Sequence, residues 1–287
     1  MAIKISETQL NLARKRYYGK FYFTNDLTFI KVLINKILIS FLKFKISIVN
    51  LNRKIFSFFI KISNSSTMSS KKVNFNVNID KSDLAKYSSD LEKKNFVFIE
   101  NFLTKDCYQH ILDNWPSINF FNHNQKIIKF YSIGFRNRDK KKLDYNNSIK
   151  NTYNFIESLE FEKFINELVY FEKAEYCISG IASTMVGNNS FLAPHVDGVQ
   201  KIDRKTYNFI YFIDGDNLNP LLSGGTGIYS DNNFEKPIFL PTTLKNSVLV
   251  YNTTTDFYHG FNFTNLQNNF YRKTINFHFS PKHSETN

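Results

Sequence analysis

Cysteine is nearly absent: Cys107 and Cys177 are the only two in 287 residues. They lie far apart with no ligand spacing, so neither a CxxC motif nor a disulfide framework is present, and the expected setting is a reducing, cytoplasmic one. Long uncharged apolar runs are missing as well. The stretch FIKVLINKILISFLKF is interrupted by Lys31, Lys36 and Lys43 and followed by Lys45, so no window of 18 or more uncharged apolar residues is available to a bilayer-spanning helix. No small-residue cleavage site follows that stretch, and its apolar part starts late, which argues against a secretory signal. Acidic residues are scarce at the same end. Residues 1–67 hold twelve Lys and Arg against Glu7 and Asp26, a net +10 of the chain's total +12, which leaves +2 for residues 68–287. The basic character belongs to the N-terminal segment, and nucleic acid is not an expected partner of the remainder.

Two readings of residues 1–67 stay open. One is a basic amphipathic segment making peripheral contact with an anionic membrane or a partner. The other is a non-native extension, with SNSSTMSSKK at 63–72 as a linker and Met68 as the true start. The expected organisation is therefore 1–67 as an appendage and 68–287 as one domain, with its core at about 175–281.

What is present after the linker is a helical half followed by a β-rich half. Leu84, Tyr87 and Leu91 are spaced for one face of a helix from Asp83 to Lys94. Phe96 to Glu100 reads as a strand, and Thr104 is placed to cap a helix that carries Cys107, Ile111, Leu112 and Trp115 up to Pro116. RNRDKKK at 136–142 reads as a solvated loop. Residues 147–170 read as one or two helices whose apolar stripe, Tyr153, Phe155, Phe161, Phe164, Ile165 and Leu168, backs a sheet. Short strands are then expected at 175–186, 192–197, 206–213, 225–230, 236–240, 246–251, 256–263 and 270–279. Such a series after a helical half predicts an α+β chain, mainly β, built as a double-sheet jelly roll with supporting helices on one face.

The chemistry concentrates in FLAPHVDG, residues 191–198. In an extended segment residues two apart share a face, so His195 and Asp197 can reach one small cation together. His283 and Glu285 repeat that spacing in the tail, with no strand around them. His259 is a third candidate ligand on a later strand. Two His and one carboxylate make up the facial set used by non-haem Fe(II) oxygenases, which leaves coordination positions open. His110, His123, His278 and His283 read as ordinary surface or core histidines.

From about Asn95 to Pro281 the chain resembles the Fe(II)- and 2-oxoglutarate-dependent dioxygenases, in their prolyl-hydroxylase-like group. The markers stand in order: KKNFVFIENFLTKD, the HVD, YNFIYFID, the Gly224-Gly225 turn, His259-Gly260, and a basic residue on the last strand. The resemblance implies a distorted double-stranded β-helix, with Fe(II) held by His195, Asp197 and His259 as the metal and catalytic residues. It implies 2-oxoglutarate and O2 as cosubstrates, with ascorbate as a possible accessory. The implied reaction hydroxylates an unactivated C–H bond with release of succinate and CO2, on a small-molecule or peptidyl substrate that the loops at 120–150, 198–206 and 214–224 do not identify. Arg272 matches the residue that holds the distal carboxylate of 2-oxoglutarate, through a guanidinium fork; Lys273 is the alternative. The resemblance implies a second anchor for that carboxylate, a Tyr or Thr hydroxyl on a neighbouring strand: Tyr207 and Tyr211 are the candidates, with core packing as the other reading of each, and Thr184 and Met185 stand where many relatives have a Tyr. The competing class is a non-catalytic jelly-roll binding protein or pseudoenzyme.

Overall fold

The computed structural model describes residues 75–118, 121–123, 130–136, 147–197, 205–215, 219–232, 234–267 and 269–282. Residues 1–67, the 63–72 linker, the RNRDKKK loop beyond Arg136, most of 198–206, and His283 with Glu285 lie outside these. Among the described residues no helix is long and apolar enough to cross a membrane.

Helix α1 (Lys81–Lys94) starts at Asp80, whose carboxylate accepts from the Asp83 N–H at 2.8 Å, and stops at Asn95, which takes the left-handed conformation at φ 62°. Strand β1 (Phe96–Ile99) follows. Helix α2 (Lys105–Asp113) ends before Trp115, short of the expected stop at Pro116. Thr104 does not cap it in the expected way: its hydroxyl bonds Cys107 Sγ at 3.0 Å and no backbone N–H. Two short strands come next, β2 (Asn122–His123) and β3 (Phe130–Arg136), within the stretch assigned above to substrate loops. The 147–170 stretch resolves into α3 (Asn147–Ile156) and α4 (Leu159–Leu168), the latter capped by Ser158.

The β-rich half comprises β4 (Tyr176–Val186), β5 (Leu192–His195), β6 (Tyr207–Asp214), β7 (Gly227–Tyr229), β8 (Pro237–Phe239), β9 (Ser247–Asn252), β10 (Tyr258–Phe261) and β11 (Arg272–Pro281). These pair antiparallel into a seven-stranded sheet, β1-β9-β6-β11-β4-β3-β2, and a four-stranded sheet, β5-β10-β7-β8. The chain is β-rich α+β, as expected.

Strand alternation divides the larger sheet's two faces. On one face Tyr207, Phe209, Tyr211 and Ile213 of β6, Ile275, Phe277 and Phe279 of β11, and Val248 and Val250 of β9 join the apolar stripe of the helices in one core cluster. Phe209 stacks on Phe277 at 4.2 Å, and Phe161 of α4 meets both edge-on. Ile210 and Phe212 of β6 and Leu249 and Tyr251 of β9 point the other way, against Ile228 of β7 and Leu244. The second sheet thus packs on the face opposite the helices. Asn246 ties the N-terminal part to this frame, accepting from the Leu103 N–H and the Tyr211 hydroxyl through Oδ1 and donating to the Leu103 carbonyl.

Candidate metal centre and carboxylate site

Antiparallel pairing of β5 with β10 sets His195 directly opposite His259. The strands can approach because residue 260 is glycine. A Cβ there would lie 2.5 Å from the Leu192 carbonyl oxygen and 2.9 Å from the Pro194 nitrogen, both backbone atoms that cannot rotate away. The two imidazole rings stand 4.3 Å apart between centroids, and both residues are buried. Asp197 follows His195 by two residues, just past the end of β5, and brings its Oδ1 to 3.9 Å from His195 Nε2 and 3.6 Å from His259 Nε2. One ligand atom from each residue lies within 4.8 Å of the other two.

The protonation state of this cluster fits a cation. His195 Nδ1 is 3.0 Å from the Ala193 carbonyl, which can only accept, so Nδ1 carries the proton. Burial lowers the His195 pKa below the ordinary imidazole value and pushes His259 down to about 3, against the pull of the Asp197 carboxylate. His195 Nε2 and Asp197 Oδ1 are then two potential ligand atoms that stand 3.9 Å apart, too far to hydrogen-bond each other. A divalent cation between them satisfies both, and a backbone carbonyl on the far nitrogen is the usual way a ligating imidazole is oriented. The donor set, two neutral imidazoles and one carboxylate, suits iron or a similar first-row metal with open positions.

Arg272, the first residue of β11, shares a face with Thr274 and Asn276, on the side away from the helices. It is buried, its Nη1 donates to the Gly224 carbonyl at 2.6 Å, and its guanidinium lies 4.8 Å from the Phe261 ring centre and 6.0 Å from that of Phe212. Gly224 reaches this position through a left-handed conformation at φ 84°. No carboxylate pairs with Arg272 among the described residues, its Nε has no hydrogen-bond partner, and burial alone pulls its pKa down to about 9. A cation desolvated without a counter-anion is costly unless an anion arrives to meet it. Lys273, the alternative, is on the opposite face and pairs with Asp214 at 3.1 Å.

Tyr207 and Tyr211 are not brought to this site, a correction to the expected second anchor. The register of β6 turns both into the helix-facing core, where the Tyr207 hydroxyl donates to Glu172 at 2.6 Å and the Tyr211 hydroxyl to Asn246 at 2.9 Å. Thr184 and Thr274, paired across β4 and β11, carry hydroxyls on the Arg272 face and are bonded to each other at 2.5 Å. Two residues beside the candidate ligands went unrecognised in the sequence. Tyr251 of β9 lays its ring 4.8 Å from that of His259, with its hydroxyl 3.4 Å from Asp197 Oδ2, and Asn208 of β6 donates to that hydroxyl at 2.6 Å. Tyr251 sits in the apolar run SVLVYN, where an aromatic reads as core, and only the β6–β9 register reveals its neighbours.

With this geometry in hand, solved structures give the comparison. A prolyl-4-hydroxylase of Pseudomonas putida superposes with a TM-score of 0.51 at 11% identity, covering 69% of this chain and 99% of its own. The chain has the fold of the 2-oxoglutarate/Fe(II) oxygenases. A 2-oxoglutarate–Fe(II) oxygenase family oxidoreductase from Burkholderia pseudomallei matches at TM-score 0.51 and 12% identity, covering 74% of this chain and 95% of its own. A Trichoplax adhaerens prolyl hydroxylase, solved with a hypoxia-inducible-factor peptide fragment, matches at 0.51 and 13%, covering 71% and 94%. No protein-family model matches the sequence, and no curated protein is significantly similar to it.

Proposed function

We propose that this chain is an Fe(II)- and 2-oxoglutarate-dependent dioxygenase that hydroxylates an unactivated C–H bond. The observation that carries the proposal is the convergence of His195, Asp197 and His259 in the same fold as a buried arginine that no carboxylate among the described residues meets. On this reading the two sheets form a distorted double-stranded β-helix, with the metal ligands on the smaller sheet and the arginine on the larger. Bound Fe(II) and 2-oxoglutarate would supply, with O2, the oxidising power for the reaction, 2-oxoglutarate leaving as succinate and CO2.

The chain's own residues do the positioning. His195 and His259, kept neutral by burial, offer nitrogen lone pairs at neutral pH without a proton to displace. Asp197 would add the anionic oxygen, and a carboxylate at this position suits a hydroxylase. Arg272, flanked by Phe212 and Phe261, presents its unpartnered Nε edge to a carboxylate in a site those rings keep dry, where a charge-assisted pair is strongest. A peptidyl substrate is one option, supported by the peptide bound in the Trichoplax structure; a small molecule is the other. A binding protein that holds no metal has no need of two imidazoles buried neutral around a carboxylate.

The test is turnover. Purified protein given Fe(II), 2-oxoglutarate and O2 should release succinate, slowly without substrate and faster when the correct substrate is added. No succinate above a His195→Ala, His259→Ala control would overturn the proposal.

A further inference from the structure

Asp197 is held differently from the other two ligands. His195 and His259 are fixed by strand pairing and burial, whereas Asp197 stands past the end of β5 with 32% of its side chain exposed. Strand geometry does not set its carboxylate, so a side chain must. The Tyr251 hydroxyl lies 3.4 Å from Asp197 Oδ2, while the opposite oxygen, Oδ1, faces both imidazoles.

The direction of the hydrogen bonds follows from the donors available. Asn208 Nδ2 donates to the Tyr251 oxygen at 2.6 Å, occupying a lone pair, and a carboxylate can only accept. The proton of Tyr251 is thereby directed at Asp197, in the order Asn208 to Tyr251 to Asp197. At 3.4 Å that last contact is at the long end for such a bond, so its orienting power comes from how firmly Tyr251 itself is placed. Tyr251 is buried, it packs on the His259 ring, and Asn208 sits directly across the β6–β9 ladder from it.

We propose that Tyr251, oriented by Asn208, is a positioning residue that holds one oxygen of Asp197 so that the other alone serves the metal. The inference rests on the metal-site reading of the proposed function. Tyr251→Phe keeps the ring against His259 and removes only the hydroxyl, leaving Asp197 free to turn away or to offer both oxygens.

Titration of the metal-free, full-length protein with Co(II), followed by its visible absorption, tests this. The parent protein is expected to bind one Co(II). Tyr251→Phe should weaken binding by about 10- to 100-fold, the range for loss of a group behind a metal ligand, and should change the Co(II) spectrum as the carboxylate's binding mode changes. Asn208→Ala, which leaves the hydroxyl in place but undirected, should show the same change to a smaller degree, and it carries the test if Tyr251→Phe does not fold. Affinity within twofold of the parent, with an unchanged spectrum in both variants, would overturn the positioning role. A parent protein that takes up no Co(II) would instead overturn the metal site on which the role rests.

Discussion

Replacing Arg272 with methionine should separate stability from function in one step. The fall of its pKa from 12.5 to about 9 corresponds to roughly 5 kcal/mol for keeping away from water a guanidinium that meets no carboxylate among the described residues. Two contacts offset part of this: a charge-assisted hydrogen bond to the Gly224 carbonyl, about 1.5–3 kcal/mol, and the stacking on Phe261, about 0.5–2 kcal/mol. Removing the side chain forfeits those contacts and relieves the burial cost, so Arg272→Met should be as stable as the parent or up to about 3 kcal/mol more stable. The ligand effect has the opposite sign. Two charge-assisted hydrogen bonds to a carboxylate amount to roughly 3–6 kcal/mol, so 2-oxoglutarate should bind Mn(II)-loaded Arg272→Met about a hundred- to ten-thousandfold more weakly. Thermal melts with and without ligand, together with calorimetric titration of 2-oxoglutarate, read both effects. A variant that melts several degrees lower and still binds 2-oxoglutarate like the parent would refute the reasoning, because the arginine would then be a structural cation.

Gly260→Ala should drive β5 and β10 apart, since the added methyl meets backbone at 2.5 Å; a destabilisation of about 1–3 kcal/mol and loss of Co(II) binding are expected in melts and titrations. Acid should destabilise the metal-free protein through His259. Its folded pKa of about 3 lies below the unfolded value near 6.5, so the unfolded chain binds more protons between the two and stability falls as pH drops below about 6.5. That loss is about 2 kcal/mol by pH 5, and His259→Gln should flatten the acid limb of a melting-temperature profile; an unchanged limb would show that the imidazole is not buried neutral. Removal of residues 1–67 should leave succinate release unchanged. Liposome sedimentation of the full chain against one starting at Met68 then distinguishes a membrane-contacting segment from an inert extension.

The strands of the β-rich half were legible because each is a short alternating or apolar run between turn residues, and Gly224-Gly225 and Gly187-Asn188-Asn189 punctuate them where the chain turns. Strand β3, FYSIGFR, escaped notice because its neighbouring residues are polar and basic, so its pairing with β4 is a tertiary fact. The grouping of the three candidate ligands was legible for a local reason, the two-residue spacing of His195 and Asp197, and for an ordered one, the later His259 followed by glycine. Tyr207 and Tyr211 could not be placed from the sequence, because alternation shows that two residues share a face without showing which face. The packing of α4 on Phe209 and Phe277 settles that choice, and it sends both tyrosines to the helices. The same register brings Asn208 and Tyr251, one position out of phase, to the cluster of His195, Asp197 and His259.

The most direct measurement is an anaerobic titration of the metal-free protein with Fe(II), followed by 2-oxoglutarate. One Fe(II) per chain is expected, with a visible absorption band on adding 2-oxoglutarate that is absent in His259→Ala and weakened in Arg272→Met. Protein that takes up no Fe(II), or that gives the same band after His195, Asp197 and His259 are all replaced by alanine, would contradict it.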